Sequence, residues 1–203
     1  MIIKSEHEIK PVGAIILAAG FSSRMKIPKP FLRFDEKRVF IEKIIDNFME
    51  FGCSKIIITT NEQISEWTEI KNKFENCGSV LFIANRHPEF ERFFSIKTGL
   101  ANIRDLEQCF IHNADNPFIE KDILNLIYDN RTDNGYTVPC CQNSGGHPVL
   151  LSKKVLKKII EEENININFK DFLKGFPRKD VEVFSDKIQI NINTQDEYDR
   201  YFK

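Results

Sequence analysis

The 203-residue chain lacks any stretch approaching the roughly 20 consecutive apolar residues that a membrane-spanning helix needs. Its opening MIIKSEHEIK carries Glu6 and Glu8 ahead of the first apolar run, which does not suit an export signal. These absences predict a soluble, cytoplasmic protein with no membrane partner. Charge of one sign is missing as well: 29 Lys plus Arg face 30 Asp plus Glu. Near-neutrality excludes adhesion to nucleic acid driven by net charge, and leaves room only for a local basic pocket that takes a small anion. The five cysteines, Cys53, Cys77, Cys109, Cys140 and Cys141, are odd in number and contain no CxxC spacing, so neither a disulfide framework nor a structural zinc site is expected. Cys109, inside Cys109-Phe110-Ile111, reads as a small buried apolar side chain.

What the chain does contain is an alternation of strand and helix. Pro11 to Leu17 is a continuous apolar run closed by Ala18-Ala19-Gly20, the pattern of a strand buried on both faces. Val39, Phe40, Ile44, Ile45, Phe48 and Met49 recur at helical spacing and stop at Gly52, a natural C-terminal cap. Short apolar runs at 55–60, 79–84 and 108–112 alternate with helical patterns at 62–75, 94–105 and 120–130. Parallel neighbours need crossover helices, so this rhythm predicts a mostly parallel sheet with helices on both faces. From Gly135 onward shorter strands are expected: 136–139, 147–151 after the Gly145-Gly146 break, and 181–184 paired with 187–192. Helices are expected at 153–163, near 170–174 and from Gln195 onward with Thr194 as N-cap. No repeat or linker divides the chain, and a single domain over residues 1–203 is expected.

Open doubly wound sheets bind ligands beyond the carboxyl ends of their strands. The first such loop reads Leu17-Ala18-Ala19-Gly20-Phe21-Ser22-Ser23-Arg24-Met25, followed by Lys26-Ile27-Pro28-Lys29-Pro30. Small residues let backbone N–H groups approach a phosphate chain, and Arg24 and Lys29 add positive charge. It is neither a GxGxxG loop nor a Walker loop, because the required glycines and the Gly-Lys-Ser/Thr ending are missing.

This loop resembles the LAAGxSxRMGxPK signature of the MobA-like nucleotidyltransferases, the group that includes the enzymes attaching CMP or GMP to the molybdenum cofactor. Three further segments follow in that family's order: Ala114-Asp115-Asn116-Pro117-Phe118 is similar to its DxPF, Gly146-His147-Pro148-Val149-Leu150-Leu151 to its GHPVLF, and Asn191-Ile192-Asn193-Thr194-Gln195-Asp196 to its DxDTPED or NxNTPED. The resemblance implies a Rossmann-like, GT-A-type three-layer α/β/α fold with a mostly parallel mixed sheet. It implies a Mg2+-dependent transfer of a nucleoside monophosphate from a nucleoside triphosphate to a small phosphorylated acceptor, with release of pyrophosphate. By the same resemblance Leu17, Ala18, Ala19, Gly20, Ser22 and Ser23 bind the nucleotide. Arg24 and Lys29 neutralise the triphosphate, Asp115 ligates Mg2+, Ser95 borders the base, and His147 contacts the acceptor.

The departures limit what is carried over. Asn191 and Asn193 stand where many relatives have Asp; their amide oxygens could complete the metal site or merely stabilise the turn before the last helix. Asp115 itself could instead make an Asx turn with Pro117 or cap the helix near Glu120. Within 85–99, Ser95, Ile96 and Gly99 match the family's GMxSSIxxG element, while Phe94 replaces a serine and the Gly-Met pair is missing. Lys26 replaces Gly and Gln195 replaces Pro. The Ala18-Ala19-Gly20 form is associated in the family with cytidine, which favours CTP. A sugar- or alditol-phosphate cytidylyltransferase and a nucleotide-binding relative without turnover are the alternative readings. His87 and His112 have weaker claims than His147, and Trp67 reads as core.

Overall fold

The computed structural model describes residues 10–20, 25, 27–61, 64–87, 90, 92–103 and 105–203. The first half winds strand and helix alternately: β1 (Lys10–Ala18), α1 (Phe40–Phe51), β2 (Cys53–Thr60), α2 (Trp67–Phe74), β3 (Val80–Ala84), α3 (Arg92–Leu100), β4 (Gln108–Asn113) and α4 (Lys121–Asp129). Then come β5 (Tyr136–Cys141), β6 (Ser144–Gly145), β7 (Val149–Ser152), α5 (Lys153–Glu161), α6 (Phe169–Leu173), β8 (Arg178–Glu182) and α7 (Gln195–Phe202). The strands form one sheet in the order β3-β2-β1-β4-β7-β5-β6, with β8 on β5. β1 pairs in parallel with both β2 and β4, whereas β7 runs antiparallel between β4 and β5. The expected mostly parallel mixed sheet is therefore present.

Residues alternating along the strands feed two layers of core. Ala14, Ile16, Ile56 and Ile58 pack beneath α1, α2 and α4, with Trp67 buried among them. Ile15, Ile57, Cys109 and Ile111 face the other way, onto α3, α5 and α6. Burial pushes the Cys109 thiol pKa up, in keeping with an inert core side chain. Gly52 ends α1 at φ 97°, a left-handed conformation that costs glycine nothing.

Two expectations in the second half are corrected. Residues 187–192 form no strand: a 3₁₀ turn, Asp186–Gln189, is followed by irregular backbone. The reason lies in where its polar groups go. Asn116 Nδ2 donates to the carbonyls of Lys187 and Ile188, the His147 N–H donates to Ile188 O, and Gln189 Nε2 donates to the Cys141 and Ser144 carbonyls. Side chains and loop backbone thus take the place of a ladder. The strand expected at 181–184 lies earlier, as β8, and runs parallel to β5. The last helix begins as expected, with Thr194 Oγ1 accepting from Glu197 N at 3.2 Å and Glu197 Oε2 accepting from Thr194 N at 2.9 Å. Among the described residues no helix is long and apolar enough to cross a membrane.

Candidate active site

The order β3-β2-β1-β4 means that the chain winds outward in one direction from β1 and then crosses to its other side at β4. Such a reversal opens a crevice at the carboxyl ends of the two central strands. A cleft of about 260 Å³ lies there, lined by Leu17, Ala18, Ala19 and Gly20 after β1, Lys29, Asn85 after β3, Phe90, Arg92, Ser95, and Asn113, Ala114 and Asp115 at the end of β4. Ser22, Ser23 and Arg24, expected to continue the loop, lie outside the described residues, as does Lys26.

Local structure explains how the principal side chains reach the cleft. Pro28 and Pro30 bracket Lys29 at the 3₁₀ turn Lys29–Phe31, closed by Phe31 N donating to Pro28 O at 2.9 Å. Phe31 anchors that turn edge-on against buried Trp67, with centroids 4.7 Å apart. Asp115 follows β4, where Ala114 N still donates to Leu17 O, and its own carbonyl accepts from Ile192 N at 2.8 Å. The 190s segment is thereby tied to the strand end. Lys29 Nζ donates to Asp115 Oδ2 at 3.2 Å and to Asn193 Oδ1 at 2.6 Å. Three motifs scattered over 164 sequence positions converge on this ammonium.

Asp115 neither caps α4 nor makes the Asx turn; that turn is made by the next residue, Asn116, whose Oδ1 accepts from Phe118 N at 3.2 Å. Asn116 is 1% exposed and clamps residues 187–188 with its other end. Asn193 holds the turn, one of the two roles considered for it, with Nδ2 donating to Asn191 O, while its Oδ1 accepts from Lys29 Nζ. Asp115 Oδ1 and Asn191 Oδ1 are buried without a hydrogen-bond partner. Asp115 Oδ1 and Asn191 Oδ1 are thus hard oxygens of the kind a small divalent cation takes. Among the described residues no three His, Cys, Asp or Glu side chains are grouped to hold a metal.

His147 is half-buried and does not line the cleft; it stands behind Asn113, whose Nδ2 lies 3.1 Å from His147 Nε2. With the amide as donor, the ring proton sits on Nδ1. Burial, then the charge of Arg92, lowers its pKa to about 4, with Asp115 pulling the other way. His112 is fully buried, with a pKa lowered to about 3 chiefly by burial, and Nε2 2.8 Å from Asn116 O. Both rings are neutral near pH 7. Ser95, near the start of α3, accepts from Asn85 Nδ2 at 2.9 Å. Sequence reasoning marked the 85–99 segment without singling out Asn85, Phe90 or Arg92, and it missed Asn113; position at a strand's carboxyl end was the available signal.

A small-residue segment, a lysine and one acid at the strand-order reversal of an α/β sheet make this cleft the candidate site for phosphate groups. Comparison with known proteins makes the class specific. The family profile for the MobA-like NTP transferase domain matches residues 14–174, and the chain belongs to that family of nucleotidyltransferases. It is 29% identical to the molybdenum cofactor cytidylyltransferase of Escherichia coli, over 92% of this chain and 93% of that protein. It is 31% identical to a probable molybdenum cofactor guanylyltransferase of Clostridium perfringens, over 94% and 96%. The crystal structure of Rv0371c from Mycobacterium tuberculosis shares the fold, with a TM-score of 0.75 at 20% identity over 93% and 96% of the two chains; that protein has also been crystallised with manganese.

Proposed function

We propose that this nucleotidyltransferase moves a nucleoside monophosphate, CMP from CTP in preference, onto a small phosphorylated acceptor. An acceptor phosphate oxygen attacks the α-phosphorus, the bond to the β-phosphate oxygen breaks, and pyrophosphate leaves. The observation that carries this reading is the Lys29–Asp115 pair, 3.2 Å apart beside the Ala18–Gly20 turn. A nucleoside triphosphate brings about four negative charges, so the site needs cations before it needs a base. Backbone at Ala18 to Gly20, continued by Ser22 and Ser23, receives the phosphate chain, while Lys29 and Arg24 offset the charge that develops on the leaving group. Asp115, with Asn191 and Asn193, would hold Mg2+, which supplies Lewis-acid polarisation of the phosphoryl oxygens. Ser95, fixed by Asn85, borders the base. His147 is too weakly basic at a pKa of about 4 to serve as general base near neutrality, so its part is to position Asn113 at the acceptor side by accepting from its Nδ2.

The identities of the relatives support a molybdenum-cofactor-like acceptor, and the Ala18-Ala19-Gly20 turn supports CTP over GTP. The neutral Asn191 and Asn193 favour a second reading, a nucleotide binder without turnover. Purified protein incubated with Mg2+, each of the four NTPs and candidate acceptors, with pyrophosphate followed, separates these. Turnover with CTP and the cofactor precursor is expected. Turnover only with a sugar or alditol phosphate would replace the acceptor, and nucleotide binding with no release under any combination would favour the binder.

A further inference from the structure

We propose that Lys29 competes with the divalent cation for its own ligands, so that metal alone is excluded and is admitted only together with a nucleoside triphosphate. This rests on the nucleotidyl-transfer reading above and adds an order of loading to it. Lys29 Nζ donates to Asp115 Oδ2 at 3.2 Å and to Asn193 Oδ1 at 2.6 Å, two of the oxygens a dication would use. A magnesium ligand must approach to about 2.1 Å. An ammonium already seated on those two oxygens repels and crowds a second cation that approaches them.

Charge counting sharpens the point. Asp115 contributes one negative charge and Lys29 cancels it, while Asn191 and Asn193 add none. The carboxylate bonded to this segment, Glu197, is committed elsewhere: its Oε2 accepts from Asn193 N at 2.6 Å and from Thr194 N at 2.9 Å, at the N-terminus of α7. Affinity for a hard dication follows the number of charged ligands, and here that number is one, already compensated. The unpaired Asp115 Oδ1 and Asn191 Oδ1 are oxygens still seeking a partner, but they cannot outbid water for a dehydrated ion by themselves.

A triphosphate changes both terms. Lys29 lines the same cleft as Ala18 to Gly20, and its ammonium is a compact charge on a flexible stem that reaches phosphate oxygens by rotamer changes alone. Its departure frees Asp115 Oδ2 and Asn193 Oδ1, and the phosphates bring the anionic ligands that the asparagines do not. Metal and nucleotide therefore strengthen each other, and by linkage the coupling is reciprocal.

The test is Mn2+ binding to the full chain without nucleotide, read by the electron paramagnetic resonance of free Mn2+ and by calorimetry. Wild-type protein is expected to bind with a Kd of ~1 mM or weaker, the range of weakly charged oxygen sites. Lys29→Met removes the competitor and Asn193→Asp adds a charge; each is expected to tighten Mn2+ binding at least tenfold. Arg92→Met removes a cation lining the same cleft but not bonded to Asp115, and is expected to change the affinity less than threefold. Micromolar binding by wild type, no gain in either Lys29→Met or Asn193→Asp, or an equal gain in Arg92→Met would overturn the proposal. Circular dichroism and thermal melts check folding; if Lys29→Met does not fold, wild type and Asn193→Asp decide. A parallel titration with α,β-methylene-CTP, with Mg2+ and with EDTA, tests the underlying reading: failure to bind any nucleotide sinks nucleotidyl transfer, whereas the nucleotide-free Mn2+ arms judge the competition by Lys29 independently.

Discussion

Replacing Asp115 by Asn changes one oxygen into an amide nitrogen and removes one charge, so it separates the part Asp115 plays in folding from its part in chemistry. At 3.2 Å and an effective dielectric of 20, the Coulomb attraction to Lys29 is about 5 kcal/mol. Little of that reaches the stability, because desolvation opposes it and the side chains are 18% and 22% exposed. Lys29 also keeps its 2.6 Å bond to Asn193 Oδ1. A net loss of about 1 kcal/mol is expected, which in a chain of this length lowers Tm by roughly 2–4 °C. The catalytic consequence is of another order: removing a charged anchor from phosphoryl transfer costs on the order of 10³ in rate, about 4 kcal/mol. The paired assay is calorimetric melting beside steady-state pyrophosphate release at saturating nucleotide. A rate within tenfold of wild type would remove Asp115 from the reacting centre. A Tm fall beyond roughly 10 °C would make it a structural residue instead.

Gly146→Ala places a Cβ 2.5 Å from Ile188 O, while Gly146 N is held by Pro139 O at 2.8 Å and cannot retreat; a loss of about 1–3 kcal/mol is expected in a denaturant melt, with activity reduced because Ile188 leads into Asn191. Glu197→Gln keeps an acceptor but loses the charge-assisted bonds to Asn193 N and Thr194 N, and about 0.5–1 kcal/mol with them. Those bonds hold the Glu197 carboxyl below its usual pKa of 4.5, so their contribution is present above that value and fades as pH falls through the lower one; the Tm gap between variant and wild type should narrow below pH 4.5. His147 and His112 are held neutral, with pKa values of about 4 and about 3. The unfolded chain takes up their protons near pH 6.5 while the folded one does not, so stability should decline as pH falls from 6.5 toward 4, by several kcal/mol at roughly 1.4 kcal/mol per unit. A His147→Asn/His112→Asn double variant that kept the wild-type slope would refute this.

The winding of the first half was legible because burial writes itself into periodicity. The run Val12 to Leu17 is apolar without alternation because both faces of β1 are covered, and α1 shows its stripe up to Gly52 because one face alone is covered. The same rule misled at 187–192. Ile188, Ile190 and Ile192 alternate with polar residues as in a half-buried strand, and Ile188 and Ile192 are indeed buried. Their alternation reports burial, while strand identity requires a partner ladder. The carbonyls of Lys187 and Ile188 are taken by Asn116, 71 and 72 positions away. A side chain acting over that distance leaves no periodic trace.

The site divides along similar lines. That Lys29 and Asp115 would meet was legible because the motifs that carry them, matched by family resemblance, follow β1 and β4, neighbouring strands whose carboxyl ends lie together. Of the asparagines, Asn191 and Asn193 were marked with two roles left open and Asn113 and Asn116 were given none, because an amide reads alike whether it makes a turn or frames a site. In the structure Asn113 holds His147, Asn116 clamps the segment leading to residue 191, Asn193 meets Lys29, and Asn191 offers an unpaired oxygen. Amides fix geometry as firmly as carboxylates do at neutral donors, yet add no charge. A frame built from them leaves the field of the cleft to Asp115, its cationic neighbours and whatever anion enters. The centre therefore has little hold on a dication until phosphate arrives, and changing one amide to an acid should alter metal affinity far more than fold.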